Sequence, residues 1–307
     1  MSCYQPGDGP LAQRIDARWA HTLADLTEAI PDHHALFADA DAHGCKPIAD
    51  VRTTLQALAG MVEGEGNPIE RRDAAIGAFV ADILRYLDRH ETLRTVEVWS
   101  GAECAMFVHG RGEMMHYATV LGQVHDAIKR ERPDVRVLTG GFGCARGATA
   151  DLTMLEYALA EYAPEKFDVC NMHPLLSSTG YCEVDVDTLR NRLQKARRAL
   201  DARCAGQPLC ATAFGLPTAD LPPLPPQYGR YWKRFGGVRI ITETQGAQWW
   251  LALLEVVREC GLEFCCVMGR DWEPPHVRHQ QICGMTRADG SDKAFTGEVV
   301  EALQDAL

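Results

Sequence analysis

Short apolar runs alternate with longer amphipathic segments along most of this chain. Runs of strand length, rich in β-branched and apolar residues, predict strands at residues 14–19, 46–51, 95–99, 135–138, 167–171, 208–214 and 263–268. Segments with apolar residues at helical spacing predict helices at residues 33–43, 71–90, 113–130, 151–162, 185–204, 243–260 and 293–307. This alternation is typical of a parallel sheet whose strands are joined by crossover helices.

The number of these elements favours a (β/α)8 TIM barrel. Such a barrel needs about 250 residues, so the 307-residue chain accommodates one as a single domain over residues 1–307. Only seven strands are clear in the pattern; the first barrel strand is either a short one within residues 1–10 or missing. The Pro-rich loop at 216–236 could cover a site at the barrel mouth or form an ordered surface excursion.

Composition narrows the class of partner. A net charge of −11 argues against nucleic acid and against anionic membrane surfaces, which both bind basic patches. No apolar run approaches the roughly 18 residues of a membrane span, and the first residues lack the features of a secretory signal. The twelve cysteines contain no CxxC pair, so we expect reduced thiols in a cytoplasmic protein.

Several segments carry motifs in a characteristic order. They are Val96–Glu103 (VEVWSGAE), Phe167–Pro174 (FDVCNMHP), Thr212–Gly215 (TAFG), Thr242–Ala247 (TETQGA) and the closing stretch Cys283–Ala294. Together they resemble glycoside hydrolases of clan A, especially families 39 and 5. In that resemblance the first segment matches a fourth strand ending Trp-Asn-Glu-Pro, the second a sixth strand ending His-Pro, and the third a seventh strand reading Thr-Glu-Phe-Gly. The resemblance covers residues 14–307 and implies a barrel.

The same resemblance implies that both catalytic glutamates are substituted. The acid/base glutamate of the family aligns with Gly101, the asparagine that holds the sugar 2-hydroxyl with Ser100, and the nucleophile with Ala213. Hydrolysis with retention or inversion uses two carboxyl groups, and an alanine methyl cannot form a glycosyl ester. We therefore expect a glycosidase-like barrel that is not a standard retaining enzyme.

Barrel enzymes carry their sites at the carboxyl ends of the strands. Catalytic candidates there are His173, Glu103 and Asp50, whose side chains can serve as general acids or bases. The candidates for substrate binding are the polar and aromatic residues Arg18, Arg52, Trp99, Ser100, Asn171, Tyr181, Asp271 and Trp272.

Structural interpretations remain open for several of these residues. Asp50 and Arg52 could form an ion pair inside the barrel, and Trp99 and Trp272 could serve packing alone. Glu97, in mid-strand, could pair with an arginine. Cys210 lies three residues before Ala213, hence on the opposite strand face, and we expect it to pack in the wall.

We expect neither a metal nor another cofactor. Two groups of potential metal ligands lack the spacing of a tight metal site: one is Cys104, His109 and His116, and the other is His276, His279 and Cys283. The stretch 140–143, Gly-Gly-Phe-Gly, lacks the spacing of a phosphate-binding loop and predicts a βα turn.

Three functional hypotheses follow. The first is a repurposed cytoplasmic enzyme that acts on a small polar or sugar-like metabolite, for example by a cyclisation or elimination assisted by a general base. The second is a non-catalytic protein that binds and sequesters a carbohydrate or other metabolite. The third is residual glycoside hydrolysis through Glu103, which lies two residues beyond the substituted position. The oligomeric state is not predicted.

Overall fold

The computed structural model of the protein describes somewhat more than half of the chain in separate stretches. The described residues are 19–26, 29–42, 44–53, 65–99, 111–142, 166–173, 186–204, 206–215, 218, 242–267, 285–287 and 290–299.

Seven strands and five long helices lie within these stretches. The strands are β1 (Trp19–Asp25), β2 (Lys46–Arg52), β3 (Thr95–Val98), β4 (Arg136–Thr139), β5 (Cys170–Met172), β6 (Leu209–Phe214) and β7 (Cys265–Val267). The helices are α1 (His34–Ala42), α2 (Pro68–Arg89), α3 (Arg111–Glu131), α4 (Val186–Arg203) and α5 (Glu243–Glu259). The predicted order of strands and helices is therefore confirmed for the described residues.

One predicted strand is displaced along the chain. The described strand runs over Trp19–Asp25, so only Trp19 of the stretch expected at 14–19 lies in it, and residues 14–18 lie outside the described residues. The predicted helix at 151–162 and the candidate first strand within residues 1–10 lie outside the described residues.

All strand pairs in the two sheets are parallel. One sheet has the order β1-β2-β3-β4 and the other the order β5-β6-β7. A parallel bridge between Leu138 and Val169 connects β4 to the start of β5. The ring of Trp19 on β1 stacks on Phe264, just before β7, with ring centroids 4.3 Å apart. The predicted α/β architecture with parallel strands is thus confirmed.

The long helix α2 illustrates how the sequence determines these elements. Asn67 caps its N-terminus by accepting a hydrogen bond from the backbone N–H of Ile69 at 3.0 Å, and Pro68 occupies the first turn, where no N–H is needed. Apolar residues at helical spacing, including Phe79 and Ile83, are buried against the sheet. Burying each such side chain stabilises the fold by about 1.5–3 kcal/mol.

The two faces of the strands have different surroundings. The face towards the helices packs into a large apolar core with α2 and α3. The opposite face carries an apolar group that we call the inner cluster: Trp19, Ile48, Leu138, Val169, Cys210, Phe264 and Cys266. Because side chains alternate along a strand, the residues two positions further on share this inner face. On four strands the residue in that place is polar: His21, Asp50, Asn171 and Thr212.

The seven described cysteines are free thiols and all are buried: Cys45, Cys170, Cys204, Cys210, Cys260, Cys265 and Cys266. Burial raises the pKa of Cys170 and of Cys265 to about 12, so neither thiol ionises at neutral pH.

We expect a brief pulse of iodoacetamide at pH 7.5 to leave these seven cysteines unmodified in the native protein. Peptide mass mapping against the denatured protein checks this. Modification of any of the seven at the rate of a free model thiol would contradict the burial described here.

No helix in the described stretches is long and apolar enough to cross a membrane.

Candidate functional site

Glu97 of β3 lies at the centre of a buried polar network and is 0 % exposed. Its Oε2 accepts a hydrogen bond from Thr212 Oγ1 at 2.6 Å and lies 2.8 Å from His21 Nε2. Its Oε1 accepts from the backbone N–H of Gly141 at 3.1 Å and lies 3.3 Å from His173 Nε2. Residues on or next to five strands, from both sheets, therefore converge on one carboxylate, which we call the Glu97 centre together with these four partners.

Asn171 of β5 fixes the position of Thr212 on β6. The Thr212 hydroxyl accepts from Asn171 Nδ2 at 2.7 Å, and the Thr212 N–H donates to Asn171 Oδ1 at 3.0 Å. The Asn171 N–H in turn donates to Thr139 Oγ1 at 2.8 Å. The threonine hydroxyl is thus held on both sides by neighbouring strands.

These contacts assign a proton to His173. The single hydroxyl proton of Thr212 goes to Glu97, so towards His173 Nε2, at 2.8 Å, the hydroxyl can only accept. His173 Nε2 therefore carries a proton. In the neutral imidazole the lone pair then lies on Nδ1, which is the atom that could take a proton from another molecule.

Opposing effects act on the pKa of Glu97. Burial by itself would raise it, because a carboxylate loses hydration when it is enclosed. The charge of His173, the hydrogen bonds from His173 and His21, and the charge of His21 outweigh burial and hold the pKa of Glu97 well below its usual value. Glu97 is consequently an ionised carboxylate at neutral pH.

Gly141 makes room for His173. A Cβ at this position would lie 1.9 Å from Cδ2 and 2.1 Å from Nε2 of the His173 ring, far inside van der Waals contact. A residue with any side chain here would displace the imidazole from Glu97 and Thr212. The sequence requirement for glycine therefore comes from the site itself.

The neighbouring glycine accommodates the end of β3. A Cβ at Gly140 would lie 2.1 Å from the backbone oxygen of Trp99, and Trp99 itself has a φ of 67°, in the left-handed region that non-glycine residues rarely adopt. Tyr117 of α3 secures both strand ends, because its hydroxyl accepts from the Gly140 N–H at 2.6 Å and donates to the Val98 oxygen at 3.1 Å. Backbone strain at a strand end facing a site is common in enzymes.

The structure brings several predicted site residues together. His173 and Asn171 belong to the network around Glu97, with His173 3 % exposed. Asp50 is buried on β2 and aligned with Glu97 in the β2–β3 register. Arg52 follows on the same strand face, half-buried at the carboxyl end of β2.

Other predicted residues are placed elsewhere or lie outside the described stretches. Trp99 points towards the helices, where its ring packs edge-on against Phe79 of α2 with centroids 6.0 Å apart. This is the packing role that the sequence left open. Six candidates lie outside the described residues: Arg18, Ser100, Glu103, Tyr181, Asp271 and Trp272.

The contacts decide one open interpretation and correct one expectation. An arginine partner for Glu97 was left open; among the described residues, the side chains that contact its carboxylate are those of Thr212, His21 and His173. Cys210 was expected to pack in the wall, on the face opposite Ala213; it lies in the inner cluster, with its Sγ 3.6 Å from Asn171 Oδ1. The alternation along β6 thus directs Cys210 and Thr212 inwards, and the β6–β7 register shifts between Ala211 and Phe214.

Sequence reasoning missed His21. Because the first strand was expected to end at Trp19, His21 was assigned to no element. The signal was present in the spacing of Trp19 and His21, which places a histidine on the same strand face as an inner aromatic ring.

Among the described residues, no group of three or more histidine, cysteine, aspartate or glutamate side chains could hold a metal ion. The Glu97 centre is consistent with this, since its carboxylate oxygens are already occupied by hydrogen-bond donors.

Glycoside hydrolases are among the solved structures with a similar fold. A family 39 glycoside hydrolase from Bacteroides cellulosilyticus superposes with a TM-score of 0.61 at 14 % identity, covering 94 % of this chain and 58 % of that one. A β-glucuronidase from an uncultured Clostridium gives 0.60 at 13 % identity, covering 97 % and 46 %. A family 2 β-galacturonidase from Eisenbergiella tayi gives 0.59 at 12 % identity, covering 97 % and 46 %.

This chain has a glycoside hydrolase-like fold. It spans about half of the length of those structures, and identities this low show the fold alone. No protein-family model matches the sequence, and no curated protein matches it.

Proposed function

We propose that this glycoside hydrolase-like chain binds a small polar or sugar-like molecule at the carboxyl ends of its strands and transforms it without a glycosyl-enzyme intermediate. The observation that supports this is the Glu97 centre: an ionised, fully buried carboxylate flanked by two histidines. Burying charge is costly unless every group finds partners, and such networks cluster at functional sites. In barrels the carboxyl ends of the strands are where chemistry takes place.

In this proposal His173 is the general base and Glu97 a positioning residue. Glu97 and Thr212 hold the Nε2 proton of His173, so the lone pair of the neutral ring lies on Nδ1, which would be the nitrogen that takes a proton from the ligand. The negative charge of Glu97 would then stabilise the imidazolium that forms. A cyclisation or elimination that begins with removal of a proton fits this arrangement.

Retaining hydrolysis is disfavoured by the positions that the resemblance aligns with its glutamates. Position 213 is alanine and position 101 is glycine, so neither supplies a carboxyl group. Glu97 does not replace them, because both of its oxygens already accept hydrogen bonds inside the protein. We therefore propose that both glutamates of the family are substituted here.

The first experiment is thermal melting against a panel of sugars, sugar acids, glycosides and cell-extract metabolites, followed by mass analysis of each hit. A ligand at a hundred times its Kd should add about 2.7 kcal/mol to the free energy of unfolding. A hit that is returned chemically altered supports an enzyme.

For such a substrate we expect His173→Gln, which keeps a hydrogen-bond donor near the Nε2 position, to lower kcat by about 10²–10⁴-fold. An unchanged kcat in a folded variant would refute the assignment of the base.

A non-catalytic binding protein is the alternative that one observation favours. The two groups best suited to chemistry, Glu97 and His173, are 0 % and 3 % exposed. If they serve only to shape the floor of a pocket, a ligand should bind stoichiometrically and return unchanged from the same assay. Tight binding without turnover, unaffected in affinity by His173→Gln, would identify this second function.

Residual glycoside hydrolysis through Glu103 is the third outcome of the panel. Release of nitrophenol from an aryl glycoside, abolished by Glu103→Gln, would support it. A panel with no release would exclude hydrolysis of those glycosides.

We also propose that the two parallel sheets belong to one eight-stranded barrel that forms a single domain, in a cytoplasmic protein without nucleic-acid partners. The Leu138–Val169 bridge and the Trp19–Phe264 stack support the closure, since they join the two sheets on both sides. The buried free thiols support a reducing compartment, and the charge of −11 disfavours phosphate backbones.

A further inference from the structure

A second group of titratable side chains lies away from the Glu97 centre, where the segment before α1 meets the C-terminal end of α2. His90 caps α2 and is 1 % exposed. Its ring centroid lies 4.5 Å from that of His34, 5.1 Å from Phe37 and 6.1 Å from His33. Three imidazoles thus share one small volume.

Hydrogen bonds through two of these rings fasten the segment to α2. His33 Nδ1 lies 2.7 Å from the hydroxyl of Tyr86, and the His33 backbone N–H donates to His90 Nε2 at 3.4 Å. His90 Nε2 also lies 3.3 Å from the backbone oxygen of Pro31. Burial raises the pKa of Tyr86, so its hydroxyl stays protonated and can donate to His33 Nδ1 only while that nitrogen is unprotonated.

The charged groups around the rings do little to offset added protons. Arg89 donates to the backbone oxygen of Ile30 at 2.8 Å and contributes a further positive charge. Asp32 supplies the negative charge, but it is exposed, and its Oδ1 accepts from the backbone N–H of His34. One solvated carboxylate therefore faces three imidazoles and a guanidinium.

Protonation would break the contact between His90 and the segment. In the neutral ring Nε2 accepts from the His33 backbone N–H, so the ring proton lies on Nδ1, which is buried and has no hydrogen-bond partner among the described residues. A proton added at Nε2 could donate to the Pro31 oxygen at 3.3 Å, but the His33 N–H would then lose its acceptor and the buried ring would carry a charge.

Burial is accordingly the main cause that lowers the pKa of His33, with the charge of His90 adding to it. Burial also lowers the pKa of His90, against the opposing effect of its bond to Pro31. Both rings are therefore neutral in the native protein at neutral pH.

We propose that His33 and His90 form an acid-sensitive latch: their neutral rings hold residues 29–37 on α2, and protonation of these two rings releases the segment. The opened segment binds protons with the ordinary affinity of histidine, near pH 6.5, and the closed segment binds them more weakly. The latch is therefore closed above about pH 6.5 and weakens as the pH falls below that value.

Hydrogen–deuterium exchange of the full chain, read by mass spectrometry at pH 7.5, 6.5 and 5.5 and corrected for intrinsic exchange, tests the latch. The opening constant rises by at most tenfold per pH unit for each proton taken up. Between pH 7.5 and 5.5 we expect protection of residues 29–37 to fall about tenfold more than protection of α5. Equal losses in the two segments would overturn the proposal.

Variants separate titration from packing. The double substitution His33→Asn with His90→Gln keeps an amide group near His33 Nδ1 and another near His90 Nε2, but neither amide takes up a proton between pH 7.5 and 5.5. Protection of residues 29–37 from hydrogen exchange should then no longer fall more than that of α5. His125→Gln, at a partly exposed histidine beside Asp126 on α3, should respond to pH like the unsubstituted protein. If the double variant leaves the segment unprotected at both pH values, NMR titration of the unsubstituted protein decides. Titration of either His33 or His90 at or above pH 6.5 would overturn the latch.

Discussion

Replacing Glu97 by alanine is expected to lower the free energy of unfolding by about 3–5 kcal/mol, because it removes one side of a buried charged network. The loss leaves Thr212, His21 and His173 with buried polar atoms that have lost their common acceptor. For large single domains about 1 kcal/mol corresponds to 2–4 °C, so the melting midpoint should fall by roughly 10 °C. Chemical denaturation with urea measures the free energy directly.

The pH dependence of the free energy of unfolding shows whether Glu97 is charged in the native protein. The pKa of Glu97 is lowered in the native protein relative to its ordinary 4.5, so its stabilising effect is present above about pH 4.5 and is lost as the pH falls further. Glu97→Gln, which keeps the shape and removes the charge, should therefore lose less stability than wild type between pH 5 and pH 3. A wild-type protein and a Gln variant with parallel pH profiles would show that Glu97 is not ionised in the fold.

Gly141→Ala is expected to be strongly destabilising although it adds only one methyl group. The new Cβ would lie 1.9 Å from His173 Cδ2, so the imidazole must leave its contacts with Thr212 and Glu97. Overpacking costs about 1–3 kcal/mol, and the lost hydrogen bonds add about 1 kcal/mol or more each. We expect a total loss of about 3 kcal/mol in urea denaturation.

Two comparisons isolate the clash. Gly122→Ala, in the middle of α3, meets only Lys166 Cγ at 3.9 Å and should stabilise the protein slightly, by about 0.5–1 kcal/mol. Combining Gly141→Ala with His173→Ala removes the clashing ring, so the double variant should be no less stable than His173→Ala alone. If the double variant is less stable than His173→Ala by as much as Gly141→Ala is less stable than the unsubstituted protein, the strain does not come from His173.

The secondary structure could be predicted because its signals are local. The apolar stripe and the Asn67 cap of α2, and the β-branched runs of β3 and β4, lie within a few residues of one another. The end of β1 was predicted six residues too early because the polar His21 follows Trp19, so the apolar signal ends before the strand does.

The candidate site could be predicted only in part, because it depends on which face each residue occupies. His173 and Asn171 were recognised from a motif, and the structure places both beside Glu97. The role of Glu97 was not recognised, because its partners are distant in sequence and no local pattern identifies them. On β6 the expected site position was Ala213, with Cys210 on the opposite face; the structure directs Cys210 and Thr212 inwards, because alternation alone does not say which set of residues faces the inside.

The convergence of strands on Glu97 also constrains the order of folding. Its contact with His21 spans 76 residues of sequence and its contact with Thr212 spans 115. Each contact closes a large loop of chain, and because loop closure costs conformational entropy, we expect these contacts to form late in folding. A nascent chain that has completed only β1 to β4 can pair Glu97 with His21 but lacks Thr212 and His173. The carboxylate must then stay hydrated until the second sheet arrives. Substitutions at this position should therefore speed unfolding far more than they slow folding, which is the kinetic signature of a contact formed after the rate-limiting barrier.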